Sequence, residues 1–272
     1  MHDYSISPLQ ALEQFLRRRG LIRELIWRDV VGRYRGSMAG LFWSFLNPLF
    51  SLAMYTFVFG VILRARWGLD AENTFDFALI LFAGLSAHAL LCDSIVAAPA
   101  LVLGNPAFVK QVVFPLEILP VVCVGSSIFH AAMSMLLLVV VWLIAHGVAI
   151  AALFFIPLLL APLCLIALGC TWFLSAASVY FRDLDQVVGF LAKAMLFFSP
   201  IFYPASSVPE SFRWLLQINP LTFVIENIRF VLIRGASPEP EAYLAYVLIS
   251  FTVAWLGYIC FQKSRGGFAD VI

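Results

Sequence analysis

Charge is the scarcest thing in this sequence. Across 272 residues there are 17 Lys+Arg and 16 Asp+Glu, or 12%, where a soluble domain usually carries about a quarter. With 62% apolar residues and a mean hydropathy of +0.96, one globular core could not hide the remaining surface. A soluble enzyme, a disordered chain and a nucleic-acid binder are thereby excluded. Cysteine is thin as well. Cys92, Cys123, Cys164, Cys170 and Cys260 all lie in apolar runs without a C-x-x-C pair, so they read as small buried hydrophobes rather than a disulfide or zinc framework. There is no G-x-x-x-x-G-K-[ST] and no Gly-Lys dipeptide, which excludes nucleotide hydrolysis by this chain. The four histidines, at 2, 88, 130 and 146, have no metal-ligand spacing, and no G-x-S-x-G elbow occurs. What is left is a polytopic membrane protein.

The gaps between charges draw its architecture. Ala39 to Leu63 is uncharged for 25 residues, Ile118 to Phe181 for 64, and Ala242 to Gln262 for 21. A single helix of the second length would reach roughly 96 Å, against a hydrocarbon core of about 30 Å. That run must be two spans, with Ala145-His146-Gly147 as the turn between them. Two further apolar stretches are interrupted once each, by Asp93 and by Lys193. The reading is an all-α protein of six transmembrane helices, near 39–63, 77–101, 117–144, 149–178, 187–204 and 242–261. They sit between a cytoplasmic arm (1–38) and a tail (263–272), and residues 39–262 form the transmembrane domain. Helices are preferred to a barrel because the runs are continuously apolar rather than alternating.

Basic residues orient the bundle. One side collects Arg17, Arg18, Arg19, Arg23, Arg28, Arg33, Arg35, Lys110, Arg182, Lys263 and Arg265, and the other only Arg64, Arg66, Arg213, Arg229 and Arg234. The positive-inside bias places both termini in the cytoplasm. Residues 1–38 lack the short apolar core of a cleavable signal.

Ser7-Pro8 reads as a helix start. Leu9, Leu12, Phe15 and Leu16 then share a face opposite Gln10, Glu13, Gln14, Arg17 and Arg18, and Gly20 is placed to end the helix. Such a helix suits the headgroup layer, where membrane lipids would be its partners; the alternative is a small helix packed on its neighbours. A second helical stretch, Leu21 to Val31, leads to the basic anchor before span one.

Two loops are unusual. Gly104 to Pro115 is too apolar for a solvated loop and too short to span. It is either a plain connector or a docking element presenting Val109, Val112 and Phe114. Residues 204–234 carry Phe212, Trp214, Leu215, Leu216, Phe223, Phe230 and Leu232 between Pro204, Pro209 and Pro220, and a loop that apolar should not face water. Short re-entrant helices at about 209–217 and 220–232 satisfy both features, with Glu226 and Arg229 paired at i,i+3. Half-helices at membrane depth are tolerated when buried in protein or lining a cavity, which points to a gate.

Inside the spans, Asp93 and Lys193 are functional candidates by their cost, or a structural pair, or residues that snorkel. Trp43, Phe50 and Phe57 recur every seven residues on span one, as do Phe190 and Phe197 on span five. They are either packing and lipid-facing aromatics or stacking platforms for sugar rings.

These residues taken in order resemble the permease subunits of ABC exporters for polysaccharides, the O-antigen, teichoic-acid and capsule group. The resemblance runs nearly end to end. It rests on Arg28-Asp29, Arg33-Tyr34-Arg35 and Gly40-Leu41-Phe42-Trp43, and then on the run from Val109-Lys110-Gln111-Val112-Val113-Phe114 to Pro115-Leu116-Glu117-Ile118-Leu119-Pro120. Tyr180-Phe181-Arg182-Asp183-Leu184, Ser199-Pro200-Ile201-Phe202-Tyr203-Pro204, Asn219-Pro220-Leu221 and Phe268-Ala269-Asp270-Val271-Ile272 complete it. The tail and the Tyr-Pro element favour the O-antigen and teichoic-acid branch over capsule. One departure is Gly84-Leu85-Ser86-Ala87-His88, where relatives often have Pro-Trp after the glycine.

The resemblance implies a homodimer in the bacterial inner membrane, joined to two copies of a P-loop ATPase subunit. ATP and Mg would be bound by that partner, with no cofactor in this chain. The arm (Leu9, Leu12, Phe15, Leu16, Arg17, Arg18) would be an interface helix. Asn105, Pro106, Val109, Lys110, Gln111 and Val112 would couple to the ATPase. Pro204, Pro209, Trp214, Asn219, Pro220, Glu226 and Arg229 would form a periplasmic gate, and Trp43, Phe50, Phe57, Phe190 and Phe197 would line the channel. The expected cargo is an undecaprenyl-linked polysaccharide, O-antigen first, with capsular polysaccharide or teichoic acid as alternatives. The rival class is a stand-alone secondary carrier or intramembrane enzyme, against which stands the lack of a secondary-transporter repeat.

Overall fold

In the computed structural model, described for residues 7–62, 74–110, 114–147 and 150–271, the uncharged runs become helices, and no strand forms among the described residues. The arm is two helices, α1 (Pro8–Arg17) and α2 (Arg19–Gly32). Pro8 occupies the first position of α1, where its missing N–H costs nothing. The break falls at Arg18 rather than at Gly20, which lies inside α2. Arg18 is drawn out of the helix line towards Glu117, its side chain 3.1 Å from that carboxylate.

Span one opens with a 3-10 turn, Gly40–Phe42, continues as α3 (Trp43–Tyr55) and ends in a π-helical turn, Thr56–Ile62. Pro48 lies inside α3 and removes one ladder hydrogen bond. The next three spans are longer than expected: α4 (Thr74–Leu103), α6 (Ile118–His146) and α7 (Ile150–Tyr180). Between α4 and α6 sits a five-residue helix, α5 (Pro106–Lys110). The α6 helix stops at Gly147, whose φ of 77° suits glycine and closes the helix with a bond to Leu143 O.

The fifth span differs most from expectation. Instead of 187–204 it is α8 (Leu184–Phe198), ended by Ser199 at φ −91°, ψ 147°. A residue before proline is pushed out of the helical region, and Pro200 follows. Past it come α9 (Arg213–Ile218), α10 (Pro220–Arg234), α11 (Pro240–Ser264) and α12 (Phe268–Val271).

Five segments, Gly40–Phe59, Phe75–Leu103, Ile118–His146, Phe154–Tyr180 and Pro240–Gly267, are long and apolar enough to cross a membrane. The chain is thus a multi-pass membrane protein. Both chain ends meet at one end of the bundle, where Ala11 and Phe15 share a hydrophobic cluster with Phe261 and Phe268. Among the described residues these five segments are joined by one bent helix pair, α9–α10, that passes the same test when its two helices are taken together. The α8 helix rises only about 22 Å at 1.5 Å per residue, short of a core of about 30 Å. The pair α9–α10 is bent by 95°.

The α4 helix is the axis of the bundle. It packs on α6, α7, α8 and α10, as well as on α3. Its many small residues (Ala78, Ala83, Gly84, Ser86, Ala87) are buried and let neighbouring backbones approach. The α7 and α11 helices approach closely at two glycines. A Cβ added to Gly257 would collide with the backbone of Gly169, and one added to Gly169 would collide with that of Val253.

Candidate functional site

Aromatic side chains form two bands on the flank of the bundle. On α3, Trp43 and Phe50 keep their shared face with ring centroids 6.5 Å apart. Phe50 and Phe57 are both exposed, the latter on the π-helical turn. On α8, Phe190 (71%) and Phe197 are also exposed. The two helices rest on different neighbours, α3 on α4 and α6, α8 on α4 and α7. A ladder of rings that the heptad spacing did not reveal joins the bands at one end. Phe197 stacks on Phe202 (6.1 Å), Phe202 meets Phe59 (6.2 Å), and Phe59 meets Phe77 (5.7 Å).

At the end where the termini meet, the organising group is Glu117, only 3% exposed. Its carboxylate accepts from Arg265 Nη1 at 2.7 Å and from Arg18 Nη1 at 3.1 Å. Its carbonyl accepts from Trp172 Nε1 at 3.1 Å, and Arg265 Nη2 also donates to Phe114 O at 3.2 Å. The carboxylate thus ties the arm and the tail to the start of α6, and the carbonyl of the same residue ties α7. The expected interface helix divides its labour: Phe15 stacks on Trp172 (6.0 Å) and meets Tyr258 edge-on, while Leu9 (77% exposed), Leu12 and Leu16 face outward. Arg17 pairs with Glu13 in solvent at 2.6 Å. The arm is docked along one edge and presents leucines along another.

Of the segment expected to couple, Asn105 secures the start of α5 by donating to Leu101 O at 2.9 Å, with Pro106 next to it and exposed. Val109 and Phe114, expected to be presented outward, pack instead against the inner cluster, and Phe108 stacks on Phe114 at 4.3 Å. The physical reason is the second proline strap: Pro115 is buried and turns the chain back into the bundle. Lys110 ends α5; Gln111 and Val112 lie outside the described residues.

Within 204–234, Pro204 and Pro209 are extended and interrupt the chain. Trp214 is exposed on α9. Asn219 caps α10 by accepting from Leu221 N at 3.0 Å, with Pro220 in the first position. Its amide also donates to Phe198 O and Ser199 Oγ at 3.2 and 2.9 Å, which staples the α9–α10 corner to the end of α8. The expected Glu226–Arg229 pair forms at 2.8 Å. Arg229 is buried (4% exposed) and donates also to Ile201 O at 3.0 Å, a bond that sequence spacing could not show.

Sequence reasoning missed a polar cavity of about 360 Å³ between α3, α4 and α6. The α3 wall is Ser44, Asn47, Ser51 and Tyr55, spaced i, i+3, i+7 and i+11 on one face, a signal present in the sequence. The α4 wall carries Ser86 and Asp93, and the α6 wall Ser127, His130 and Ser134, with Arg33 and Tyr34 at the rim. Asp93 does not pair with Lys193. No hydrogen bond or salt bridge to its side chain is found among the described residues, and Lys193 is exposed on α8. Tyr34 lies 3.3 Å from His130 Nδ1. Burial pushes its phenol pKa up, with Arg33 pulling the other way, so the hydroxyl stays a donor.

Comparison with known proteins gives one family and several full-length likenesses. The family model for the ABC-2 type transporter matches residues 20–233. The chain is 27% identical over 272 residues to an O-antigen export system permease protein RfbA of Myxococcus xanthus, covering 97% of this chain and all of that one. It is 26% identical over 248 residues to the protein of the same name from Klebsiella pneumoniae, covering 90% and 92%. To the polysialic acid transport protein KpsM of Escherichia coli it is 20% identical over 242 residues, covering 89% and 92%.

Proposed function

The chain belongs to the ABC-2 type transporter family, and from that premise we propose that it is the permease subunit of an ATP-driven exporter moving a lipid-linked polysaccharide, O-antigen foremost, across the bacterial inner membrane. The observation that carries this reading is the end-to-end likeness to O-antigen export permeases, over 97% of this chain. A capsular or teichoic-acid cargo is the second reading, favoured only by the weaker likeness to KpsM.

In this reading two copies of the chain face one another across the aromatic bands of α3 and α8. An aromatic face is apolar enough for the membrane interior and amphipathic enough for the apolar face of a sugar ring. Trp43, Phe50, Phe57, Phe190 and Phe197 then line a path along which a polymer slides without a fixed binding register. Pairing also accounts for their exposure in the single chain. The bent pair α9–α10, stapled by Asn219 and by Arg229, closes the periplasmic mouth.

Energy comes from a partner. Two P-loop ATPase subunits, holding ATP and Mg, would dock at the cytoplasmic end where both termini meet. The outward leucines of α1 and the exposed Pro106 and Ala107 of α5 are the surface they meet. Glu117 makes that surface rigid, because motion of the 114–117 strap is passed to α6 and, through the bond from Trp172 to its carbonyl, to α7.

Deleting the gene and restoring it with variants tests the reading. Loss of the chain should abolish surface polysaccharide while the polymer accumulates on the cytoplasmic side. Charge reversal at Lys110, or deletion of 105–112, should prevent the ATPase from joining the complex. Trp43→Ala or Phe50→Ala should slow export with assembly intact. Normal surface polysaccharide in the deletion strain would defeat the proposal.

A further inference from the structure

We infer that the cavity between α3, α4 and α6 is a subsite for a polyol, a hydroxyl-bearing sugar ring of the cargo, with Asp93 as its principal acceptor. The inference rests on the polysaccharide reading above and adds a place and a chemistry to it.

The argument begins with the directions of the hydroxyls. Ser44 donates to Leu41 O (2.7 Å), Ser86 to Phe82 O (2.8 Å), Ser127 to Cys123 O (3.3 Å) and Ser134 to His130 O (3.1 Å). A hydroxyl has one proton to give, so each of these four turns only lone pairs to the cavity. Asp93 adds a carboxylate with no protein hydrogen bond or salt bridge among the described residues. Such a wall asks for a ligand rich in donors. His130 supplies the complement: in the tautomer in which Tyr34 donates to Nδ1, the ring proton lies on Nε2, a buried atom with no hydrogen-bond partner among the described residues. Asn47 offers both a donor and an acceptor.

Chemistry and size then separate the possible occupants. A metal or ammonium cation would suit the acceptors, but Arg33 lines the same space and would repel it. A volume of about 360 Å³ far exceeds an ion and matches the lower range of small-ligand pockets, roughly 300–1,000 Å³. The remaining wall includes the rings of Tyr34, Tyr55 and Phe82, against which the apolar face of a sugar can lie. Acceptors for hydroxyl protons, a few donors and aromatic faces are together the recognition set of a carbohydrate. The polar stripe on α3 is also offset from the Trp43–Phe50 face by less than half a turn, so a chain moving along the aromatic band passes beside the cavity.

The test is photo-crosslinking in exporting cells that contain the whole complex. Benzoylphenylalanine is placed at Ser51 in the cavity, at Phe50 on the aromatic band and at the exposed Ile144 as a control, and adducts are detected with antibody to the polysaccharide. Adducts at positions 50 and 51 but not 144 are expected. Adducts at 50 alone overturn the subsite and leave the permease reading intact. Adducts at neither, in cells that still export, overturn the subsite and the aromatic path together, while the permease reading is decided separately by the deletion strain. Because the bulky label could disturb folding, Asp93→Ala provides a second reading. It should lower the export rate about tenfold, as expected for loss of one hydrogen bond to a charged group, with complex yield unchanged. Export by Asp93→Ala at the wild-type rate means that the cavity holds only water and overturns the inference.

Discussion

Replacing Glu117 by alanine should loosen the end of the bundle where arm, strap and tail are joined. The carboxylate is buried and bridges two guanidiniums, Arg265 at 2.7 Å with a side chain 14% exposed, and Arg18 at 3.1 Å with one 41% exposed. The Arg18 bond is half in solvent and contributes little, since exposed pairs are worth about 0–1 kcal/mol. The Arg265 bond dominates, because its side chain is mostly buried and the contact is the shorter of the two. Breaking such a pair costs about 3–5 kcal/mol, and the residual exposure puts this one near 3 kcal/mol. If that loss falls on local opening of the arm and tail, the open population rises about a hundredfold, at about 1.4 kcal/mol per factor of ten. Trypsin reads this directly, because Arg17, Arg18 and Arg19 mark the hinge between α1 and α2. In membrane vesicles exposing this end, cleavage there should be about a hundredfold faster in Glu117→Ala, with Glu117→Gln in between. A cleavage rate within about twofold of wild type would show that the carboxylate does not hold the arm, and the argument from burial would fail.

Two further perturbations probe the membrane domain. Gly257→Leu forces side-chain atoms into the Gly169 backbone; the helices must separate, at a cost of about 3 kcal/mol or more, and folded yield in detergent should collapse, with Gly257→Ala already impaired. Wild-type yield for Gly257→Leu would mean that α7 and α11 do not cross there. Arg229→Met keeps the bulk of the side chain but leaves Ile201 O without its donor, costing about 2 kcal/mol. The thermal midpoint should fall by roughly 4–8 °C, and an unchanged midpoint would remove Arg229 as the staple between the Pro200 turn and α10.

Much of the fold was legible because charge is so costly in lipid that its absence marks each span. The uncharged stretch from Ile118 to Phe181 could be divided at Gly147 because no helix of that length fits a bilayer. The short helices α9 and α10 were legible from the prolines and the apolar residues of 204–234 together. What could not be read is whatever depends on contacts distant in sequence. Arg18 and Arg265 lie 99 and 148 residues from Glu117, and nothing local announces their meeting. The end of α8 was misplaced because hydropathy continues through Ile201 and Phe202 while the backbone has already turned at Ser199-Pro200. The cavity was overlooked for a different reason. Ser44, Asn47, Ser51 and Tyr55 have helical spacing, but in a span dominated by aromatics this polar stripe is a weaker signal than the rings.

The most direct test of the account is ATP-dependent translocation by the purified complex of this chain with its ATPase, in proteoliposomes loaded with undecaprenyl-linked polysaccharide. The account predicts that polymer crosses to the side opposite the ATPase only when ATP is supplied and both subunits are present. Transport by this chain alone without ATP, or none by the complete complex with ATP, would contradict it.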